Sequence, residues 1–188
     1  SYTFHLYKNV KWQDGTPFTS EDARFSLELV RKPPRGVNSP RQEWLRAVDK
    51  IETTDKDTLK ITLRYASASF IYNLADGRML IVPKHVFEAK GNMKRDLVGT
   101  GPYKFKAFTA GANFSVVKNP DYFIKGRPYL DGITWYLIPD VATRFAALRT
   151  HRVKITPLGM QGLTGTQADV IRRAVSYTHL RAHETVLD

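Results

Sequence analysis

Three side chains in this 188-residue sequence combine binding chemistry with an irregular setting: Arg41, Trp44 and Arg78. The first two share Arg41-Gln-Glu-Trp44, and Arg78 closes the turn Asp76-Gly77-Arg78 between two apolar segments. A guanidinium presents a rigid fork of donors matched to a carboxylate, and an indole offers a large contact surface at low entropic cost. Together they suit the gripping of an anionic solute. The competing assignment makes Trp44 an ordinary core residue and leaves both arginines in solvent. Trp12 and Tyr72 are assigned to the core by the periodicity around them, and His85 to a structural role.

Catalytic chemistry finds less support. Ser20, Ser26, Ser39, Ser67, Ser69 and Ser115 lack a Gly-x-Ser-x-Gly context, and no histidine stands in a triad setting. The carboxylates read as turn formers (Asp14, Asp121, Asp131) or helix caps (Asp22, Asp140), so no catalytic residue is assigned. The absence of cysteine excludes disulfides, thiolate metal sites and cysteine nucleophiles. His179 and His183, at helical spacing beside Glu184, lack a third clear ligand, so no metal is expected. Gly99-Thr100-Gly101 is not followed by the Lys-Ser and helix of a phosphate loop, and no cofactor is expected.

The charge balance is unusual: 29 Lys and Arg against 18 Asp and Glu give a net charge of +11. Such an excess raises nucleic acid or an anionic membrane as a partner. The basic residues, however, are scattered among acids and apolar positions, with no run of like charge and no nucleic-acid motif. A solvated basic surface is the better reading. No apolar run approaches the length that crosses a bilayer.

The elements that must position these residues follow from periodicity. Tyr2, Phe4 and Leu6 alternate with polar residues as a strand, and Asp14-Gly15 makes a turn. Thr19 caps a helix with Asp22 three residues on; Ala23, Leu27 and Val30 give its apolar face, and Pro33-Pro34 ends it. A short helix or loop at 41–48 precedes a hairpin from Ile51 through Asp55-Lys56-Asp57 to Leu59, Ile61 and Leu63. Residues 67–74 read as a helix, and Pro83 opens another at its first position. Strands are expected at Tyr103, Phe105 and Ala107, at Phe114, Val116 and Lys118, and at Ile133, Trp135 and Leu137. Asp140 caps a last helix whose apolar face is Val141, Phe145 and Leu148. The fold class is mixed α/β.

The opening block, with Tyr2, Phe4, Leu6, Lys8, Val10, Trp12, Asp14, Gly15, Phe18, Thr19 and Asp22, resembles the signature of the extracellular solute-binding proteins of peptide and nickel ABC importers. Tyr7 departs from it, where members carry a basic residue. Gly99-Thr-Gly-Pro-Tyr103, Asn119-Pro-Asp-Tyr122, Pro128-Tyr-Leu-Asp-Gly132 and Ile138-Pro-Asp140 follow in the family's order. Later, Ala147-Leu-Arg-Thr-His-Arg-Val-Lys-Ile155 places His151 where members have glycine, a costly exchange if that residue has positive φ.

The resemblance implies a periplasmic binding protein-like type II fold, of which this chain is a partial first lobe. Residues 1–97 would form its N-terminal subdomain, 98–175 a return into a larger sheet subdomain, and 176–188 a non-native, adapter-like tail. It implies capture of a peptide or related small solute (a nickel chelate among them) by hinge closure, and delivery to an ABC permease without bond making. It also implies a periplasmic or extracellular location, soluble or lipid-anchored, with the signal peptide outside this sequence. In nickel-type members an Arg-x-x-Trp pair and an arginine before the Val-Pro segment face the cleft; Arg41 and Trp44 match the first, and Arg78 approximates the second. With half the cleft missing, the fragment is expected to bind ligand weakly. The alternatives are a hydrolase with an unrecognised site and a basic nucleic-acid-binding domain.

Overall fold

The computed structural model describes residues 1–93 and 97–156, together with 165, 166 and 169. It is a mixed α/β structure, as the sequence leads one to expect, and it divides into two compact units. The first comprises residues 1–107 and 115–134; the second comprises 108–114 and the described residues from 135 onward.

The first unit is built on a three-stranded antiparallel sheet of β1 (Tyr2–His5), β2 (Val48–Asp55) and β3 (Thr58–Leu63), in the order β1-β3-β2. Phe4 faces Leu59, and Ile51 faces Ile61, so the apolar members of each alternation meet on one side. β2 begins at Val48, three residues ahead of the expected hairpin. Val48 is almost fully buried, and core packing draws this stretch into the sheet.

Against the sheet lies α1 (Ser20–Arg31), with Ala23 and Leu27 buried and Val30 packed at the margin, the face anticipated from spacing. Its start is fixed as expected: the Asp22 carboxylate accepts the Thr19 N–H at 3.0 Å. The same carboxylate accepts the Lys84 N–H at 3.0 Å, at the head of α3 (Lys84–Lys90). Ser26, also buried, donates to Asp22 O at 2.7 Å and accepts from Val82 N–H at 2.9 Å. These polar ties satisfy buried backbone groups where a helix meets an irregular chain. Pro83 stands at the N-cap of α3, one position before the expected one.

The expected helix at 67–74 is α2 (Phe70–Ala75). Phe70 is fully buried, but Tyr72 is 80% exposed, against its assignment to the core. Two residues along a helix turn the side chain by about 200°, so burial of Phe70 sends Tyr72 outward. Trp12 is buried as expected, edge-on to Phe18. His85 Nε2 meets Asp14 Oδ2 at 2.7 Å, tying α3 to the Asp14-Gly15 turn.

A second sheet runs in the order β4 (Tyr103–Thr109), β5 (Asn113–Lys118) and β6 (Gly132–Tyr136), at the three expected places. Gly132 has a steric reason to be glycine: a β-carbon there would lie 2.8 Å from Val116 O. The Gly99–Tyr103 segment is held by side-chain amides. Gln13 Nε2 donates to Tyr103 O at 2.7 Å, and buried Asn119 Nδ2 donates to Gly101 O at 3.0 Å.

In the second unit α4 (Val141–Arg149) is capped as expected by Asp140, which accepts the Thr143 N–H at 2.7 Å. Its buried position is Ala147, with Phe145 and Leu148 half-buried and Val141 exposed, so the inward face is rotated from the expected one. His151 follows with φ of 57°, the left-handed conformation that glycine adopts freely.

Candidate functional site

The structure brings Arg41, Trp44 and Arg78 together. Arg41 precedes a 3-10 turn at Gln42–Leu45, which presents Trp44 while burying Leu45. Trp44 rests on the margin of the core without being enclosed by it, so the core-residue alternative describes only part of its surface. Asn73 of α2 donates to Trp44 O at 3.3 Å, which fixes the turn against that helix. The Arg78 guanidinium carbon lies 5.1 Å from the indole centroid and that of Arg41 6.0 Å, so one ring carries two cations.

Arg78 is held from the other side by Asp76. Nε and Nη2 each donate to a different carboxylate oxygen at 2.8 Å, and the Arg78 N–H donates to Oδ1 at 2.9 Å. The guanidinium's hydrogen bonds hold the Asp76 carboxyl far below the usual range, with the charge of Arg41 adding to the effect; the carboxylate in turn raises Arg78. Arg78 keeps 64% of its side chain in solvent. Arg41 is half-buried, and its Nε has no hydrogen-bond partner among the described residues. Sequence reasoning treated Asp76 only as part of a turn. The available signal was its spacing of two from an arginine, which lets a turn fold one side chain onto the other.

The arrangement offers donors and an aromatic platform, suited to a carboxylate-bearing solute. Among the described residues, no group of three or more His, Asp or Glu is placed to hold a metal, and no helix is long and apolar enough to cross a membrane. The candidate ligands His179, His183 and Glu184 lie outside the described residues. A separate cavity of about 640 Å³ belongs to the second unit, lined by Ala112, Tyr136, Leu137, Ile138, Ala147 and Val153 among others. None of the sequence-predicted site residues lines it.

Known proteins share both sequence and fold with this chain. The glutathione-binding protein GsiB of Pectobacterium atrosepticum is 33% identical over 151 residues, covering 80% of this chain and 29% of its own. The oligopeptide-binding protein AppA of Bacillus subtilis is 33% identical over 159 residues, covering 79% and 28%. The solved structure of the binding protein AgaA from A. tumefaciens R10, in complex with agropinic acid, superposes with a TM-score of 0.74 at 37% identity, covering 80% of this chain and 30% of that one. The chain spans about a third of the length of the curated relatives it matches. The stretch shared with each of these proteins is thus a part of its chain, consistent with the partial lobe that the series of family motifs implies. The sequence profile of the bacterial extracellular solute-binding proteins, family 5 (middle), matches residues 1–177, and the chain belongs to that family.

Proposed function

We propose that the protein to which this chain belongs captures a peptide or a related small acid outside the cytoplasmic membrane and hands it to an ABC permease, without chemical change. It is soluble or lipid-anchored on this reading, and it has neither a catalytic site nor a nucleic-acid partner. Residues 1–97 and 98–175 belong to one lobe, and the second lobe closes the cleft. The observation that carries the reading is the stacking of Arg41 and Arg78 on Trp44 in a chain of this family. The named ligands of its relatives, glutathione, oligopeptides and agropinic acid, all suit arginine donors. A nickel chelate would offer a carboxylate to the same pair of side chains.

Titration calorimetry of the full-length gene product tests this, with trialanine, glutathione and nickel–histidine as probes. At least one should bind, and be recovered unaltered by mass spectrometry. Arg41→Ala and Trp44→Ala should each weaken that binding roughly tenfold or more, the range for a hydrogen bond to a charged group or an aromatic anchor. Unchanged affinity in both variants would remove these residues from the site, and a cleaved probe would point to the hydrolase instead.

A further inference from the structure

Arg78 carries its own carboxylate. One bidentate edge of the Arg78 guanidinium, Nε and Nη2, is engaged by Asp76 at 2.8 Å, and the turn's backbone reinforces the pairing. The pair is nevertheless open to exchange, because most of the Arg78 side chain is in solvent. Arg41 shares the indole with Arg78, and Asp76 is the anion that senses both. Two guanidiniums and one carboxylate leave a single positive charge. A monoanion brings the cluster to neutrality. A dianion adds a second negative charge beside Asp76, where like charges repel.

We propose that Asp76 sets the charge selectivity of this cluster: by occupying one edge of Arg78 and offsetting one of the two positive charges, it favours a single incoming carboxylate and disfavours dianionic groups. The inference rests on the reading above, that Arg41 and Arg78 face the solute. Asp76 acts through Arg78 and is a positioning residue. A loss of charge at position 76 is expected to alter which anions bind, beyond any general change in affinity. A purely structural role would leave the preference between anions where it was.

The test uses the full-length gene product with labelled arginine and tryptophan side chains, in which weak anion binding is readable by NMR. The Nε–H resonances of Arg41 and Arg78 and the Trp44 indole N–H are followed at neutral pH and fixed ionic strength while acetate or malonate is added. In the unaltered chain acetate should shift them at least as readily as malonate. Asp76→Asn should lower the malonate midpoint roughly tenfold while moving the acetate midpoint by about threefold or less. Asp76→Ser keeps an oxygen for the turn and should act in the same direction, with circular dichroism reporting that both variants fold. If malonate is already preferred in the unaltered chain, or both midpoints move equally, the selectivity role is overturned and the anion-binding reading of the arginines survives. If neither anion moves either arginine in any form, that reading fails and this inference with it.

Discussion

The two units meet the same sequence patterns with different amounts of burial. In the first, alternation and helix periodicity end in a packed core: Phe70 and Ile61 are completely buried, and Leu45 and Val48 are 1% exposed. In the second, equally regular segments leave large apolar side chains in solvent, with Trp135, Tyr136, Leu137 and Phe108 all at least half exposed. Among its described residues Ala147 is the one hydrophobic side chain that is buried. Alternation therefore determines that a strand forms and which residues share a face. Whether that face becomes a core depends on what covers it, which is a property of tertiary packing.

The sharpest way to break this contrast is to delete an aromatic ring from each unit. Phe70→Ala removes a buried ring that packs in the sheet's core cluster and lies tilted against Tyr2 with centroids 5.1 Å apart, and it should cost about 3–5 kcal/mol in denaturant unfolding. Trp135→Ala removes a half-exposed ring whose aromatic neighbour is Phe114 at 5.5 Å, and it should cost about 1 kcal/mol or less. Equal losses would show that the second unit buries its aromatics in solution, and the comparison would fall.

A change of opposite sign should sharpen it. His151 holds φ of 57° after α4, donating its N–H to Leu148 O at 3.1 Å. A side chain in this region costs about 1–2 kcal/mol, partly offset for glycine by its greater freedom when unfolded. His151→Gly should therefore stabilise the chain by about 0.5–1 kcal/mol in thermal unfolding, whereas His151→Ala should give no gain. A destabilised glycine variant would mean that the imidazole makes contacts worth more than the strain.

How much of this was legible follows the same division. The Asp22 and Asp140 caps, the hairpin and the strand positions are local features that could be read from a few neighbouring residues, whereas the strained exit at residue 151 was signalled by the family motif, which has glycine there. Tyr72 and the inward face of α4 could not, because a short helix has several apolar residues and only packing decides which one turns inward. Arg41, Trp44 and Arg78 could be named one by one, from residue type and family motif. Their convergence on one ring joins positions more than thirty residues apart, and the fit of Asp76 to Arg78 needs a specific turn geometry. Those are outcomes of folding that no spacing rule contains.

The smallest effect concerns charge in the well-packed unit. Glu21 accepts from Arg24 Nη2 at 2.9 Å and from Thr53 Oγ1 at 2.8 Å, joining α1 to β2, with Lys84 Nζ at 3.7 Å. The hydrogen bonds from Arg24 and then Thr53 lower its carboxyl from an ordinary 4.5 to about 2. A carboxyl depressed on folding adds stability above its unfolded value, and that contribution disappears as pH falls through the folded one. Glu21→Gln should thus lower stability at neutral pH, with the gap to the parent chain closing between pH 4.5 and about 2. Because 42% of the side chain is exposed, solvent screening holds the gap to about 1 kcal/mol or less, and added salt should narrow it. Urea titrations at neutral and acid pH measure it directly. A gap that persists at the acid end would assign the loss to the neutral hydrogen bond with Thr53, and the contrast between the units would then owe nothing to charge at this position.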